Sequence, residues 1–326
     1  MENIQSKESG EAKRSFLRRP PKGSKRDSFV RFFKKNGAGF IFALPVTLGL
    51  LFFTAYPLLA SLYYSFFESY TVIRPPEGFS LTYNLLRMFS DQEWIQAITN
   101  TGIYTLISVP MFMIFSFALA LLLNIRIKGI GIYRMLIYMP CVMSAVVSGI
   151  AWRSLIDVDY GWFNRALRML NMQPYPFLSE ASTSMQTLIF VGLWSLGGPM
   201  VLWLSQLKNI SAELYEAADL DGASRFRKLI TITIPMCSPM IFYNLIMNII
   251  ATLQTFAAVT TLTGGTAGVE NSLLFYVTKI YSSYETCITT GSMGYTCAMA
   301  WFLFVVIAIL TGIIFKTSKW VFYGGD

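Results

Sequence analysis

The stretch SAELYEAADLDGASRFRKLITITIPMCSP, residues 211–239, is a polar interval between two long apolar runs, yet it carries the pattern of two short helices broken by a glycine. Ser211 is placed to cap the first helix, with Glu213 favourable in its first turn. Asp221-Gly222 supplies the stop, because glycine enters the left-handed conformation that ends helices without steric cost. A second helix is expected from Ala223 onward. Glu213, Glu216 and Asp219 recur at i, i+3 and i+6 and share a polar flank, while Leu214, Ala217 and Ala218 form a face that another backbone can approach closely. Arg225, Arg227 and Lys228 charge the second helix, and Pro235 and Pro239 are expected to end it and open the next apolar run.

On either side of this interval the chain is written for lipid. Of its 326 residues 54% are apolar and only 13% charged, and mean hydropathy is +0.50, so the expected core is an intramembrane bundle. Six runs approach the length that crosses a bilayer, at about 39–66, 101–123, 132–155, 187–207, 236–260 and 293–315. Pro45, Pro57, Pro110, Pro140 and Pro199 lie in or beside them, as packed bundles tolerate where neighbours satisfy the freed carbonyls. Residues 1–36 are hydrophilic and rich in Lys and Arg, with no helical period. They read as a largely disordered basic tail whose first role is to set topology, with membrane lipid as a further contact and no nucleic-acid role expected. A cleaved signal peptide is not expected, since the next apolar run is of full spanning length.

Charge orients the bundle. With the amino terminus inside, the cytoplasmic segments hold the tail, then Arg126, Lys128 and Arg134, then Lys208, Arg225, Arg227 and Lys228, then Lys316 and Lys319. The opposite side holds Arg74, Arg87, Arg153, Arg165, Arg168 and Lys279. Both termini and the glycine-broken interval are therefore expected in the cytoplasm. The outer loops carry Trp94, Tyr160, Trp162, Tyr175, Phe177, Tyr281 and Tyr284, whose rings suit the headgroup layer.

The spacing Glu216-Ala217-Ala218, two residues, Asp221-Gly222-Ala223, then Ile232 and Pro235 resembles the EAA loop that marks the membrane subunits of binding-protein-dependent ABC importers. Leu229 stands where sugar-importer permeases usually have Phe. Thr263-Gly264-Gly265, preceded by Phe256, is similar to a glycine-rich stretch of the same permeases, without their third glycine and proline. The resemblance implies an all-α membrane protein with six transmembrane helices of the type I ABC importer permease fold, a domain of about 37–326. It implies a multi-pass subunit of the bacterial cytoplasmic membrane in the carbohydrate-uptake branch, with a coupling loop at about 211–235. Its implied coupling residues are Glu216 for a charged contact, Ala217, Ala218 and Ala223 for close packing, Asp221 and Gly222 for the turn, and Pro235. Implied partners are a paralogous permease forming a heterodimer, two ATP-binding cassette subunits and an extracytoplasmic solute-binding protein.

The remaining chemistry agrees with a transport subunit. No stretch fits GxxxxGK[ST], so nothing here is expected to cradle ATP phosphates, and hydrolysis is assigned to separate subunits. The absence of histidine removes the commonest general base and metal ligand; no catalytic residue, metal or cofactor is expected. On the fifth run Asn244, Asn248, Thr252 and Thr255 recur at i, i+4, i+8 and i+11, a stripe suited to hydroxyl-rich cargo and equally to bonding between helices. The resemblance aligns Asn248, Thr252 and Thr255 with sugar-touching positions of maltose-type permeases. Trp194, with Gly197 and Gly198, offers a stacking face and backbone clearance on the fourth run. Cys141, Cys237, Cys287 and Cys297 read as small buried thiols, a bridge between the last two staying open in an oxidising compartment. A secondary transporter, a membrane scaffold and a permease for a non-sugar solute are the competing readings. The first should show an inverted repeat and mid-bilayer charges, and the second would not need the EAA-like loop.

Overall fold

The computed structural model describes residues 39–71, 73–125, 127–290 and 293–322; the basic tail at 1–36 lies outside them. The chain divides after Ala60 into two compact units. Helix α1, Gly39–Tyr64, supplies the described part of the first. Its turn at Leu50–Ala55 is widened to a π-helix, and the Tyr56 amide reaches back to the Leu51 carbonyl. The cause is Pro57, which has no N–H and whose ring crowds the carbonyl four residues earlier.

The second unit opens with an antiparallel hairpin of β1, Phe67–Ser69, and β2, Glu77–Phe79, in which Phe67 faces Phe79 and Ser69 faces Glu77. Helix α2, Tyr83–Ser90, turns at Asp91 into α3, Gln92–Leu123. Asp91 caps α3 by accepting from the Glu93 and Trp94 amides, so the helix starts well before position 101, where apolar character begins. Pro110 sits inside α3 without breaking it.

Helices α4, Ile130–Val142, and α5, Ala145–Leu155, were expected as one span and instead meet at 99°. The break follows from Pro140 two residues before the end of α4 and from extended backbone at Met143 and Ser144, the hydroxyl of Ser144 capping α5 through the Val147 amide. The short α6, Trp162–Met169, follows on the next connection. Helices α7, Ala181–Leu193, and α8, Gly197–Asn209, bend by 48°. Gly197 lies so close to the Ile137 carbonyl and the Tyr138 backbone that no Cβ would fit.

After α9, Ala212–Leu220, helix α10, Arg225–Met236, bends by 67° into α11, Ser238–Leu253. The break between α10 and α11 falls between Pro235 and Pro239, which the sequence expects to end the one and open the next. The preceding turn, Leu229–Thr233, widens to a π-helix, and the break comes at Cys237. The run at 236–260 is likewise interrupted, since α11 stops at Leu253 and α12 occupies Ala257–Thr263. Beyond it α13, Tyr276–Thr290, forms within what the sequence reads as an outer loop, and α14, Met293–Lys316, is a long apolar helix. Among the described residues three helices, α1, α3 and α14, are long and apolar enough to cross a membrane alone. Each of the three bent pairs also qualifies if it counts as one span, for up to six.

Helix α3 is the axis of the second unit, with α8, α11 and α13 packed along it. Buried clusters lie along that axis. One gathers Tyr104, Trp152, Leu188, Val259 and Phe275, another Trp203, Leu204, Leu207 and Cys237. A third joins Met88, Trp94, Tyr276 and Met299. Trp94, expected in the headgroup layer, is instead 3% exposed, and its indole donates to the Tyr276 hydroxyl at 3.1 Å. Tyr276 in turn donates to the Met299 carbonyl. The rings of Tyr160 and Trp162 are exposed.

Candidate functional site

The hairpin of α9 and α10 is built by short-range rules. Ser211 caps α9 through the Glu213 amide, and Gly222 takes φ +71°. The Gly222 amide then bonds the Asp219 carbonyl and the Ala223 amide bonds the Ala218 carbonyl at 2.9 Å. That pair of bonds is a Schellman closure, in which a left-handed glycine lets two late carbonyls of the helix be satisfied. Ser224, rather than Ala223, caps α10 through the Arg227 amide.

Side chains hold the angle that the turn sets. Lys228 Nζ lies 2.6 Å from Asp219 Oδ1, joining the two helices beyond the turn. Tyr215 and Thr233 share a hydroxyl–hydroxyl bond of 2.9 Å at the base, and Thr233 is buried. Gln206 of α8 donates to the Met236 carbonyl, tying the base to the bundle. Neither Tyr215–Thr233 nor Lys228–Asp219 was singled out from sequence, although the acidic flank containing Asp219 was. Glu216, Ala217, Asp221, Gly222 and Pro235 are exposed, and Ala218 and Ala223 half-buried. Leu220 and Phe226 present 90% and 70% of their surface, and α9 buries no residue. The result is a braced, angled, outward-facing element with apolar tips and mixed charge.

The polar stripe forms as its spacing requires, with an unexpected use of its donors. Asn244, Asn248, Thr252 and Thr255 donate to the carbonyls of Met240, Asn244, Asn248 and Ala251, each four residues back on the same stretch of chain. Among the described residues the amide oxygens of Asn244 and Asn248 receive no hydrogen bond. The amide oxygens are the acceptors the stripe leaves unused, and only that of Asn248 belongs to a residue that is not buried. Asn244 and Thr252 are buried, Asn248 and Thr255 half-buried.

Thr255 and Ser108 both approach the Tyr104 hydroxyl, a residue 5% exposed. Among the described residues the Thr105 hydroxyl is buried without a hydrogen-bond partner. Thr101, Thr105 and Ser108 recur at i, i+4 and i+7 on α3, a periodic signal that could have identified this second polar face. Tyr104 and Gly198 line one cavity of about 340 Å³ at the breaks between α4 and α5 and between α7 and α8. Cys141 bridges those breaks, its thiol donating to the Ser195 carbonyl and accepting from the Gly198 amide. Trp194 is not part of that cavity. It is half exposed and meets Trp152 edge-on at 5.6 Å, on a separate cleft with Trp162.

At the far end of α5 the Arg153 guanidinium packs on the Gly264 α-carbon, leaving no room for a Cβ, and Gly264 has φ +70° at the end of α12. This close approach is what the Thr263-Gly264-Gly265 stretch provides. All four cysteines are free thiols; Cys237 and Cys287 are buried.

Asp91 Oδ2 accepts from Tyr295 at 2.8 Å and lies 3.1 Å from Lys279 Nζ, which also meets Glu93 at 2.7 Å. Burial works to raise the Asp91 pKa, but the Tyr295 hydroxyl and the Lys279 ammonium outweigh it, so the carboxyl titrates below its ordinary value.

Residues 85–319 match the family model described as binding-protein-dependent transport system inner membrane component. The probable ABC transporter permease protein YesP of Bacillus subtilis is 35% identical over 294 residues, covering 89% of this chain and 93% of that protein. The lactose transport system permease protein LacF of Rhizobium radiobacter is 30% identical over 298 residues, covering 90% and 97%. In the solved structures, a chain of a bacterial ABC transporter involved in the import of the acidic polysaccharide alginate superposes with a TM-score of 0.79. The match covers 90% of this chain and 98% of that one at 20% identity, a likeness of fold.

Proposed function

The chain belongs to the family of binding-protein-dependent transport system inner membrane components, and from that premise we propose that it forms half of the translocation path of a carbohydrate importer. A paralogous permease supplies the other half, an extracytoplasmic binding protein delivers the solute, and two separate cytoplasmic ATPases supply the energy. The carbohydrate assignment is supported by relatives such as the lactose permease and by the acceptor-rich stripe of Asn244, Asn248, Thr252 and Thr255. Both termini and the hairpin lie in the cytoplasm in this reading, supported by the positive charges at the hairpin end of the bundle.

The observation that carries the mechanism is the hairpin itself, largely exposed yet fixed in angle by a left-handed glycine, an ion pair and a half-buried hydroxyl bond. An element so braced and so little buried is shaped for a partner. Seated in a cleft of an ATPase, α9 moves with that subunit when ATP closes it, and the brace passes the displacement to α10, α11 and the bundle. Glu216 makes the charged contact, Ala217, Ala218 and Ala223 allow close approach, and Asp221-Gly222 sets the angle, with Pro235 at the base.

Replacing Gly222 by Val tests this directly. A β-branched residue is strained at this positive φ, and uptake of solute is expected to fall more than about tenfold while the subunit remains in the membrane. Wild-type uptake together with solute-stimulated ATPase activity in that variant overturns the coupling role.

A further inference from the structure

A cavity of about 570 Å³ lies on the inner side of the hairpin, where α3 ends. Its apolar wall is Leu121, Leu122 and Ile125 from the end of α3 with Leu229 of α10, and its basic rim is Arg225 and Lys228. Leu122 and Ile125 are 66% and 53% exposed, so the apolar wall opens sideways at the end of a membrane-spanning helix. Tyr215 faces this cavity, whereas the neighbouring Glu216 and Ala217 are exposed and do not line it. The space is therefore not on the face that carries Glu216 and Ala217.

Charge selects the occupant. Lys228 is engaged by Asp219, but Arg225 has no carboxylate partner among the described residues. The negative end of the α3 dipole, which would repel an anion here, is already neutralised. Arg134 donates from Nε and Nη2 to the Leu123 carbonyl, with Nη2 at 2.7 Å. A free phosphate would leave the leucine wall wet, and a neutral lipid would leave Arg225 unanswered. A molecule with a phosphate at one end and a chain at the other satisfies both.

We propose that this corner holds an anionic phospholipid of the adjoining leaflet, its phosphate on Arg225 and its acyl chain along Leu122 and Ile125, wedged between α3 and the base of the coupling hairpin. The assignment rests on the reading of this end as cytoplasmic only for which leaflet provides the lipid. The lipid adds a brace on the side of the hairpin that the ATPase leaves open.

The full-length subunit in phosphatidylcholine nanodiscs, doped with spin-labelled phosphatidylglycerol or spin-labelled phosphatidylcholine, provides the test. The immobilised fraction of the anionic probe is expected to exceed that of the neutral one. Arg225→Gln should cut that excess about fivefold, the value of one basic contact at a membrane surface. Leu229→Trp, which fills the cavity without removing charge, should cut it as well, while Arg227→Gln on the same helix should not. Soluble glycerol phosphate should leave the immobilised probe in place. An excess unchanged in both Arg225→Gln and Leu229→Trp, or lost equally in Arg227→Gln, or displaced by glycerol phosphate, overturns the proposal. Sidedness is read separately, by membrane-impermeant maleimide in intact cells on a Ser224→Cys variant whose four native cysteines are replaced by serine. Labelling there defeats the coupling reading and leaves the lipid result standing.

Discussion

Gly222 in the hairpin and Gly197 at the bend between α7 and α8 both exclude a β-branched side chain, for opposite reasons. Gly222 has φ +71° and nothing within 4 Å of where a Cβ would be. Gly197 needs no unusual φ, but its missing Cβ is where the Ile137 carbonyl passes. The first glycine is required by its own backbone, the second by a neighbour sixty residues earlier in the chain. The hairpin is therefore a local construction and the bend a tertiary one.

Substitutions that separate conformation from space should pull the two apart. The largest effect is expected for Gly197→Val, which must displace backbone and costs upward of about 3 kcal/mol; little folded subunit should survive extraction into detergent. Gly197→Asn should fail in the same way, since tolerance of left-handed backbone does not help there. Gly222→Asn, by contrast, should keep uptake within about twofold of wild type, because Asn enters the left-handed region with little penalty. Equal tolerance of Asn at both positions would dissolve the distinction.

Smaller effects test the same contrast through side chains. Trp94→Phe removes the indole donor to Tyr276 in the buried cluster and should lower stability by about 1 kcal/mol, seen as a lower melting temperature in detergent. Asp91 gives a pH signature. Its folded pKa is depressed, so its contribution is fully present above the ordinary carboxylate value of 3.8 and is lost as pH falls through the depressed value. Asp91→Asn should flatten the acid limb of the melting profile, and an unchanged limb would remove the Asp91–Lys279–Tyr295 linkage from the account. Asp219→Asn should do least to stability, about 0.5 kcal/mol or less, because Asp219 is 64% exposed and its pair with Lys228 is screened.

The same division decides what could be read in advance. Every tie within the hairpin spans at most 18 residues, as in Tyr215–Thr233, so caps, turn and helix lengths follow from neighbouring side chains. Trp94 was misplaced because an amphipathic ring suits a headgroup layer and a buried cluster equally well. What buries it is Tyr276, 182 residues away. The bend at Met143-Ser144 lies three residues beyond Pro140 within uninterrupted apolar sequence, where a hydropathy reading sees one span. Trp194 and Gly198, neighbours in sequence, face different cavities because the bend between α7 and α8 separates them.

Sequence alone determined that the chain dissolves in lipid, that it carries an angled hairpin between its fourth and fifth apolar runs, and that a polar stripe lies along α11. These depend on side-chain type and on helical period, which are properties of neighbouring residues. Tertiary structure decided where the apolar runs break, which aromatic rings are buried, and which polar groups meet around Tyr104. These depend on close approach of distant segments, and a bilayer-length run of apolar residues is compatible with a straight helix and a bent one alike until its neighbours are packed against it.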